Sequence, residues 1–277
     1  MHNGKTTKIK IPTLNEFDFQ IKYTETDRKS HAYGIGLHTH NEFELYINLS
    51  GDVSFLVENN LYDLSRGDVI IARPGEYHHC VYRSDAPHKL FWILFDCQKN
   101  KDILDFLKDG FRENYISPQG DLREELIDLC YALHHRSLTN EEKIYAFFRL
   151  FAILKQSKNA ISAKSVLPQD LYKIMDYIDC YIHEEITITD IAKALYISQS
   201  TLERRFKEAL DMTPLEYIRK KKLILAAEML QHGESVLTAG TSVGYNDSSY
   251  FIELFKRYYG ITPYQYKKYH NKNNKSR

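Results

Sequence analysis

Two histidines and a glutamate stand close together in the stretch GLHTHNEFELYINLSG, where they are His38, His40 and Glu44. Imidazole nitrogens and carboxylate oxygens are ligands for Fe, Mn, Ni and Zn ions, and they also hydrogen-bond polar small molecules. Three interpretations follow: a metal centre with redox or isomerase chemistry, a pocket that senses a small molecule with or without a metal, and a polar strand face that binds nothing.

The elements around these residues predict how they would be brought together. Side chains alternate along a strand, so a single strand from Leu37 to Leu49 would place its polar groups on one face and its apolar groups on the other. Downstream, an apolar strand ends in a Pro74–Gly75 turn before His78. The expected polar face consists of His38, His40, Glu42, Glu44, Tyr46 and Asn48.

Changes in hydrophobic periodicity and composition divide the chain of 277 residues into four segments. Short β runs come first, followed by amphipathic helices that begin with DILDFLKDGF at 102–111, a small polar stretch and further helices. The predicted fold class is α+β, with an N-terminal β-barrel and helical segment and a C-terminal all-α domain. The expected boundaries are 1–100 for the barrel, 101–160 for the helical segment, 161–170 for a linker and 171–272 for the C-terminal domain.

Bulk composition excludes several classes of protein. With 43% hydrophobic and 27% charged residues and a net charge of zero, the chain is typical of a globular protein without whole-chain attraction to nucleic acid. Its four cysteines include no C-x-x-C pair, which argues against a zinc module and fits a reducing compartment. Because no apolar run reaches signal-peptide or membrane-spanning length, we expect a cytoplasmic protein.

The C-terminal domain contains an internal repeat. The pattern Phe-Lys-x5-Thr-Pro-x2-Tyr begins at Phe206 and again at Phe255, and the same offset pairs Leu202 with Phe251. Each copy predicts a helix-turn-helix, in which a short turn leads to a second helix whose outer face is free to enter a major groove. The side chains that these faces display are Gln199, Ser200, Glu203, Arg204 and Lys207 in the first copy, and Ser248, Ser249, Tyr250, Glu253 and Lys256 in the second.

Capping residues mark where the helices of the repeat begin. Thr187 and Asp190 predict a capping box for the first helix, whereas Ser198 and Asp247 predict the start of each displayed helix. An alternative interpretation makes Glu203 structural, as the last member of a capping box that Ser200 would begin.

The segment between the two copies supports DNA binding. A helix predicted from Pro214 to Gln231 spans about 25–30 Å, which is comparable with the ~34 Å between successive faces of a major groove. From Arg204 onward, basic residues outnumber acidic ones, an excess suited to phosphate contacts. The lysines from Lys220 to Lys222 either join these contacts or are simply solvated. A helical interaction domain with a solvated basic face is the alternative.

Residues 170–270 resemble the DNA-binding domain of AraC-type transcription regulators. The resemblance rests on ITDIAKAL, TPLEYIRKKKLILAAEML and VGYNDSSYFIELFKRYYGITPYQYKK, the last of which is highly specific. It implies seven helices and two helix-turn-helix units in adjacent major grooves. The residues to which it assigns base reading are Ser200, Glu203, Arg204, Ser248, Ser249, Tyr250 and Glu253.

The sequence departs from the family pattern at several positions. Tyr196 and Asp211 stand where glycines are usual, and Ala239–Gly240 replaces an Ile-Ala pair. A glycine inside a helix costs roughly 1 kcal/mol of helix stability. Glu253 also takes a place where arginine is frequent, so a weaker contribution of the second unit to affinity is expected.

The N-terminal half resembles a cupin barrel, the sensor domain of many AraC-type proteins. The cupin metal pattern, His-x-His-x3-Glu followed by Pro-Gly-x2-His, maps onto His38, His40, Glu44 and His78. The resemblance implies a sugar or similar metabolite as effector, because polar groups and aromatic rings together suit sugars. The expected ligand-binding residues are His38, His40, Glu44, Tyr46, His78 and Trp92.

These observations together predict a sequence-specific DNA-binding transcription regulator. Its expected partners are double-stranded DNA, a small-molecule effector in the barrel, and a second copy of the chain bound through the apolar 101–160 segment. No catalytic residue and no cofactor are assigned, and whether the histidine cluster holds a metal is left open. The alternatives are a metal-dependent cupin enzyme with an accessory helical domain, and a constitutive DNA-binding regulator without an effector.

Overall fold

The computed structural model describes residues 6–10, 18–26, 36–96, 113–135, 138–157 and 165–275. It divides into two compact units, Met1–Val166 and Leu167–Arg277. The helix predicted at 102–111, the N-terminal part of the predicted linker and Cys97 lie outside the described residues.

The described strands of the N-terminal unit form two antiparallel sheets. The strands are β1 (Thr6–Lys10), β2 (Asp18–Thr26), β3 (Phe43–Ser50), β4 (Val53–Val57), β5 (Asn60–Leu64), β6 (Val69–Ala72), β7 (His78–Tyr82), β8 (His88–Phe95) and β9 (Tyr115–Ile116). One sheet has the order β1–β2–β8–β3–β6–β9 and the other β5–β4–β7. The predicted α+β fold class is confirmed, although the described strands form a two-sheet sandwich rather than one closed barrel.

The two faces of the larger sheet have different partners. Two helices, α1 (Asp121–His135) and α2 (Asn140–Ser157), follow the strands. Alternate side chains such as Leu45 and Phe91 form one buried cluster with Phe147 and Leu150 of α2. The opposite face meets the smaller sheet in a second cluster that includes Tyr46, so the sandwich interior lies between the sheets. Burying each large apolar side chain contributes roughly 1.5–3 kcal/mol.

The expected single strand from Leu37 to Leu49 is wrong over its first half, because β3 begins only at Phe43. The chain bends after His40, whose ring bonds the carbonyl oxygen of Glu42, and such local bonds compete with strand pairing. His38 nevertheless pairs with His78 through an isolated bridge with N–H···O distances of 3.1 and 3.0 Å. The backbone thus brings the two histidines together without a continuous strand.

The C-terminal unit has the seven helices that the resemblance implies over residues 165–275, which the structure describes without a gap. They are α3 (Gln169–Cys180), α4 (Ile188–Ala194), α5 (Gln199–Leu210), α6 (Pro214–Gln231), α7 (Val236–Ser242), α8 (Ser248–Tyr259) and α9 (Pro263–Lys275). Helix α3 begins inside the segment predicted as linker. Among the described residues, no helix is both long and apolar enough to cross a membrane.

Capping side chains start the helices of the repeat where the sequence predicts them. Thr187 forms a capping box before α4, Ser198 accepts from the N–H of Thr201, and Asp247 accepts from two N–H groups at the start of α8. The alternative capping box begun by Ser200 is wrong, because α5 has already begun at Gln199.

Two turns of the first helix-turn-helix place non-glycine residues in the left-handed region, with φ of 55° at Tyr196 and 54° at Asp211. Left-handed backbone costs an L-residue roughly 1–2 kcal/mol, and Tyr196 regains little by packing because it is 96% exposed. We therefore expect Tyr196→Gly to raise the free energy of unfolding by about 0.5–1 kcal/mol, measured by urea denaturation of the full chain. Tyr196→Ala, which keeps a Cβ, should bring no comparable gain, and an equal gain would contradict the explanation.

Candidate functional site

A cavity of about 320 Å³ opens between the two sheets of the N-terminal unit. Its size is at the lower end of the roughly 300–1,000 Å³ typical of small-molecule sites. Five of the six residues predicted to bind ligand line it, and the sixth, His78, is buried in contact with three of them, His38, His40 and Glu44. The lining residues are Lys22, Thr24, His38, His40, Glu44, Tyr46, Phe55, Cys80, Tyr82, Leu90, Trp92 and Leu94.

Four titratable side chains converge at one end of this cavity. One ligand atom from each of His38, His40, Glu44 and His78 lies within 4.8 Å of the others. The closest pair is Nε2 of His40 and Oε2 of Glu44, at 3.0 Å, whereas Nε2 of His78 lies 3.6 Å from the same oxygen. We call these four residues the histidine cluster.

Backbone carbonyls orient all three rings of the histidine cluster. Each ring places Nδ1 at 2.8–2.9 Å from the carbonyl oxygen of a residue two positions away along the chain. Because a carbonyl oxygen can only accept, each Nδ1 carries the proton and donates it, which directs Nε2 toward the other members of the cluster. The three carbonyls belong to Gly36, Glu42 and Glu76.

Electrostatics favour the charge states that ligation needs at Glu44 and His38, whereas at His40 the neighbouring Glu44 carboxylate outweighs burial and raises the pKa of the imidazole. Burial alone would raise the pKa of the Glu44 carboxyl, but neighbouring His40 and His78 outweigh it and hold that pKa well below its usual range. Burial, with repulsion from His78, lowers the pKa of His38 to about 4. Near neutral pH the cluster therefore offers a carboxylate and at least one neutral imidazole.

The donor set of the histidine cluster fits a divalent transition metal. Three imidazole nitrogens and one carboxylate oxygen suit Fe, Mn, Ni or Zn. Nε2 of His78 is buried and has no hydrogen-bond partner among the described residues, a situation that costs roughly 1–3 kcal/mol unless a ligand fills it. A bound ion would supply a Lewis-acid centre that these four side chains orient toward the cavity.

The remaining lining residues combine aromatic rings with buried polar groups. The hydroxyl of Tyr46 lies 2.7 Å from Nε2 of buried His88, and burial raises the pKa of the Tyr46 phenol well above its usual value. The predictions missed Cys80 and Tyr82, although alternation from His78 along β7 could have identified both. Lys22 and Thr24 had no local signal, because only the pairing of β2 with β8 brings them to the cavity.

The C-terminal unit presents the predicted DNA-reading residues on two helices. Leu202 and Phe206 bury the inner face of α5, and Phe251 and Phe255 bury that of α8. The outer faces are exposed at every predicted position, which are Gln199, Ser200, Glu203, Arg204, Lys207, Ser248, Ser249, Tyr250, Glu253 and Lys256.

Helix α6 connects the two helix-turn-helix units through packed side chains. Tyr217 of α6 meets Phe206 of α5 with ring centroids 5.3 Å apart, and Leu223 and Leu230 of α6 share a buried cluster with Phe251. Because α5 packs on α6 and α8 belongs to the same buried cluster as α6, the spacing between the displayed helices is set by a buried core rather than by a loose loop.

Two exposed arginines, Arg204 of α5 and Arg257 of α8, are paired within their own helices. Arg204 donates two hydrogen bonds to Glu208 at 3.0 Å, and Arg257 reaches Glu253 at 2.8 Å. Both pairs are exposed and join residues one helical turn apart, and ion pairs of this kind stabilise a protein by only about 0.3–0.5 kcal/mol. A DNA phosphate or guanine can therefore displace the glutamates at small cost.

Two of the three lysines from Lys220 to Lys222 serve the fold rather than a solvated or DNA-facing surface. Lys221 and Lys222 are buried at 4% exposure. Lys221 donates to the carboxylate of Asp179, and Lys222 donates to the carbonyl oxygen of Glu184. Lys221 and Lys222 therefore do not count among the basic residues that are available for phosphate contacts.

The close approach of the Phe251 ring requires a glycine at position 240, so Gly240 is not a weak point of its helix. A Cβ at this position would lie 2.9 Å from Cδ1 of buried Phe251. We expect Gly240→Ala to lower the free energy of unfolding by about 1–3 kcal/mol and to weaken DNA binding through α8, despite the better helix propensity of alanine. Urea denaturation tests this against Thr241→Ala on an exposed face of the same helix, and an unchanged stability would refute it.

Comparison with known proteins agrees with both halves of this architecture. Residues 25–169, more than half of the chain, match the family model of the AraC-like ligand binding domain, and residues 191–269 match a helix-turn-helix domain model. The chain belongs to the AraC family of transcriptional regulators. It is therefore a DNA-binding transcription regulator with a ligand-binding domain, and not an enzyme.

Several relatives resemble this AraC-family chain over most of their length. The Lactose operon transcription activator of Staphylococcus xylosus is 22% identical, over 83% of this chain and 85% of its own. The activator RhaR of Mannheimia succiniciproducens is 25% identical, over 87% and 90% respectively. An uncharacterized regulator of Bacillus subtilis, YdeC, is 24% identical, over 84% and 86%.

Proposed function

We propose that a sugar bound between the two sheets controls how this AraC-family regulator engages DNA. The observation that carries the proposal is the cavity itself, which places the ring of Trp92 and the polar groups of Tyr46 and Glu44 around one volume. Aromatic faces stack on sugar rings, and the polar groups bond hydroxyls. The name of the relative from Staphylococcus xylosus, a lactose operon activator, supports the same class of effector.

The test is the affinity of the full chain for a duplex that it selects from random sequences, with and without candidate sugars. An effector with different affinity for two arrangements of the chain changes operator affinity by roughly 5–150-fold. Trp92→Leu should lose that response while its sugar-free DNA affinity stays unchanged. Equal operator affinity with every sugar would instead leave a constitutive DNA-binding regulator.

The exposed faces of α5 and α8 are the proposed DNA readers. They are supported by exposure at all ten predicted positions and by the shared core that joins both helices to α6. An exposed face on a helix whose inner face is fully packed can enter a major groove without disturbing the fold. Because DNA is its target, we assign the protein to the cytoplasm.

The histidine cluster supports a second role, the binding of one divalent metal ion within the effector pocket. Its support is the buried Nε2 of His78, which has no hydrogen bond among the described residues and lies beside the ligand atoms of His38, His40 and Glu44. In a regulator, such an ion would help to hold the effector rather than turn it over.

Helices α1 and α2 carry the proposed homodimer contact. Most of the apolar residues of α2 pack in the core, but Tyr131, Tyr145 and Phe148 remain exposed on these two helices. Sedimentation equilibrium should show a dimer that Tyr145→Glu weakens. A monomer at micromolar concentration would refute the proposal.

A further inference from the structure

The cavity has a positively charged wall away from the histidine cluster. Antiparallel register aligns Lys22 of β2 with Trp92 of β8, and Trp92 with Tyr46 of β3. Neighbouring strands lie about 4.8 Å apart, so Lys22 begins roughly 10 Å across the sheet from Tyr46. Its ammonium group lies 5.7 Å from the centre of the Trp92 ring, so cation and ring lie side by side in the cavity wall.

Lys22 forms no ion pair with any carboxylate among the described residues, and its contact is with the Trp92 ring. Lys89 of β8 provides the contrast within the same sheet. It does not alternate in step with Trp92 on that strand, and its ammonium lies 3.4 Å from the carboxylate of Glu25. Alternation directs Lys89 to the face opposite the cavity. Among the residues that the structure describes, the cavity face thus has a lysine without an ion pair, whereas Lys89 of the other face is paired.

Thr24 adds a hydrogen-bond donor beside this cation. It lies two residues from Lys22 on the same face of β2 and lines the cavity. Its side chain is buried at 9% exposure, and Oγ1 has no hydrogen-bond partner among the described residues. A buried hydroxyl without a partner is uncommon, and a ligand atom in the cavity would complete it.

Charge and geometry together select the ligand group for this wall. One ammonium and one hydroxyl match a carboxylate, which carries a single negative charge and two accepting oxygens. A phosphate carries more negative charge and more acceptor oxygens, so the same two groups would leave some of its oxygens without a hydrogen-bond donor. Repulsion from Glu44 is limited, because His40 lies within hydrogen-bond distance of that carboxylate.

We propose that the effector is a sugar acid, whose carboxylate is bound by Lys22 and Thr24 while its ring stacks on Trp92. This inference rests on the proposed function and specifies the chemical class of the effector. It makes the cavity selective for an acid over the neutral sugar of the same stereochemistry.

Isothermal titration calorimetry on the full chain tests the selectivity with matched pairs: D-glucose with D-glucuronate, D-galactose with D-galacturonate, and D-mannose with D-mannuronate. At least one acid should bind tenfold or more tightly than its neutral partner. Lys22→Gln should abolish that preference, Lys22→Arg should retain most of it, and Thr24→Val should reduce it. Lys89→Gln, which removes the same charge from the opposite face, should leave the preference intact.

The outcomes separate this inference from the proposed function. A neutral sugar that binds as tightly as its acid and changes operator affinity overturns the sugar-acid inference but supports a sugar effector. Tighter binding of D-glucose 6-phosphate than of every acid, or an acid preference that survives in Lys22→Gln, also overturns it. If neither acids nor sugars bind, both proposals fail.

Discussion

Arg204→Ala is expected to weaken binding of the full chain to its selected duplex by roughly 5–150-fold, the loss of about 1–3 kcal/mol that follows removal of one bidentate base contact. Arg204 is exposed on α5, and among the described residues it forms a weak ion pair with Glu208. Fluorescence anisotropy at fixed salt concentration measures the change, with random-sequence duplex as the reference. The loss on the selected duplex should exceed the loss on the random one.

Glu208→Ala offers a test in the opposite direction. Removing this glutamate frees Arg204 and removes a negative charge near the phosphates, so affinity should rise.

Arg66→Ala is the matched control for Arg204→Ala, because Arg66 forms a similar exposed pair with Glu124 in the N-terminal unit. Unchanged affinity and specificity in Arg204→Ala would show that α5 does not read bases through this residue.

His78→Ala is expected to remove a bound metal ion from the purified protein. The wild-type chain, prepared without a histidine tag, should contain about one equivalent of Fe, Mn, Ni or Zn by elemental analysis. Loss of a direct ligand should weaken metal affinity by more than the roughly 10–100-fold that loss of a supporting residue causes. Effector binding should weaken in parallel, whereas effector-free DNA affinity should stay near the wild-type value.

His79→Ala serves as the control for the metal prediction. His79 follows His78 on β7, so alternation directs its ring to the other face of that strand. It should retain the ion. A metal-free wild-type protein, or equal loss from His79→Ala, would contradict a metal in the histidine cluster and leave direct contact with the effector as its role.

Local sequence signals were sufficient for the two displayed helices of the C-terminal unit. The starts of α5 and α8 are specified by Ser198 and Asp247, whose side chains satisfy the first free N–H groups of each helix. The displayed faces follow from helical periodicity, since Leu202 and Phe206 identify the buried side and thus the exposed one. The repeat strengthened the prediction because both copies had to satisfy the same pattern.

The same local signals were insufficient for Gly240 and Lys222. Helix propensity alone makes Gly240 a weakness, but the ring of Phe251 occupies the space that a Cβ would need. A lysine in a basic run looks solvated, yet Lys222 reaches the carbonyl oxygen of Glu184 from a buried position. Neither contact leaves a mark on neighbouring sequence, because each joins residues far apart in the chain.

For this protein, the sequence by itself determined two helix-turn-helix units, their exposed faces and the residues of the histidine cluster, since short-range spacing encodes caps, helix faces and the pattern of candidate ligands. Only the tertiary structure decided which side chains complete the pocket. Lys22 and Thr24 reach it through the pairing of β2 with β8, and His38 reaches His78 through a bridge across a bend. Strand order and register arise from the packing of distant segments, so no local pattern of residues could specify them.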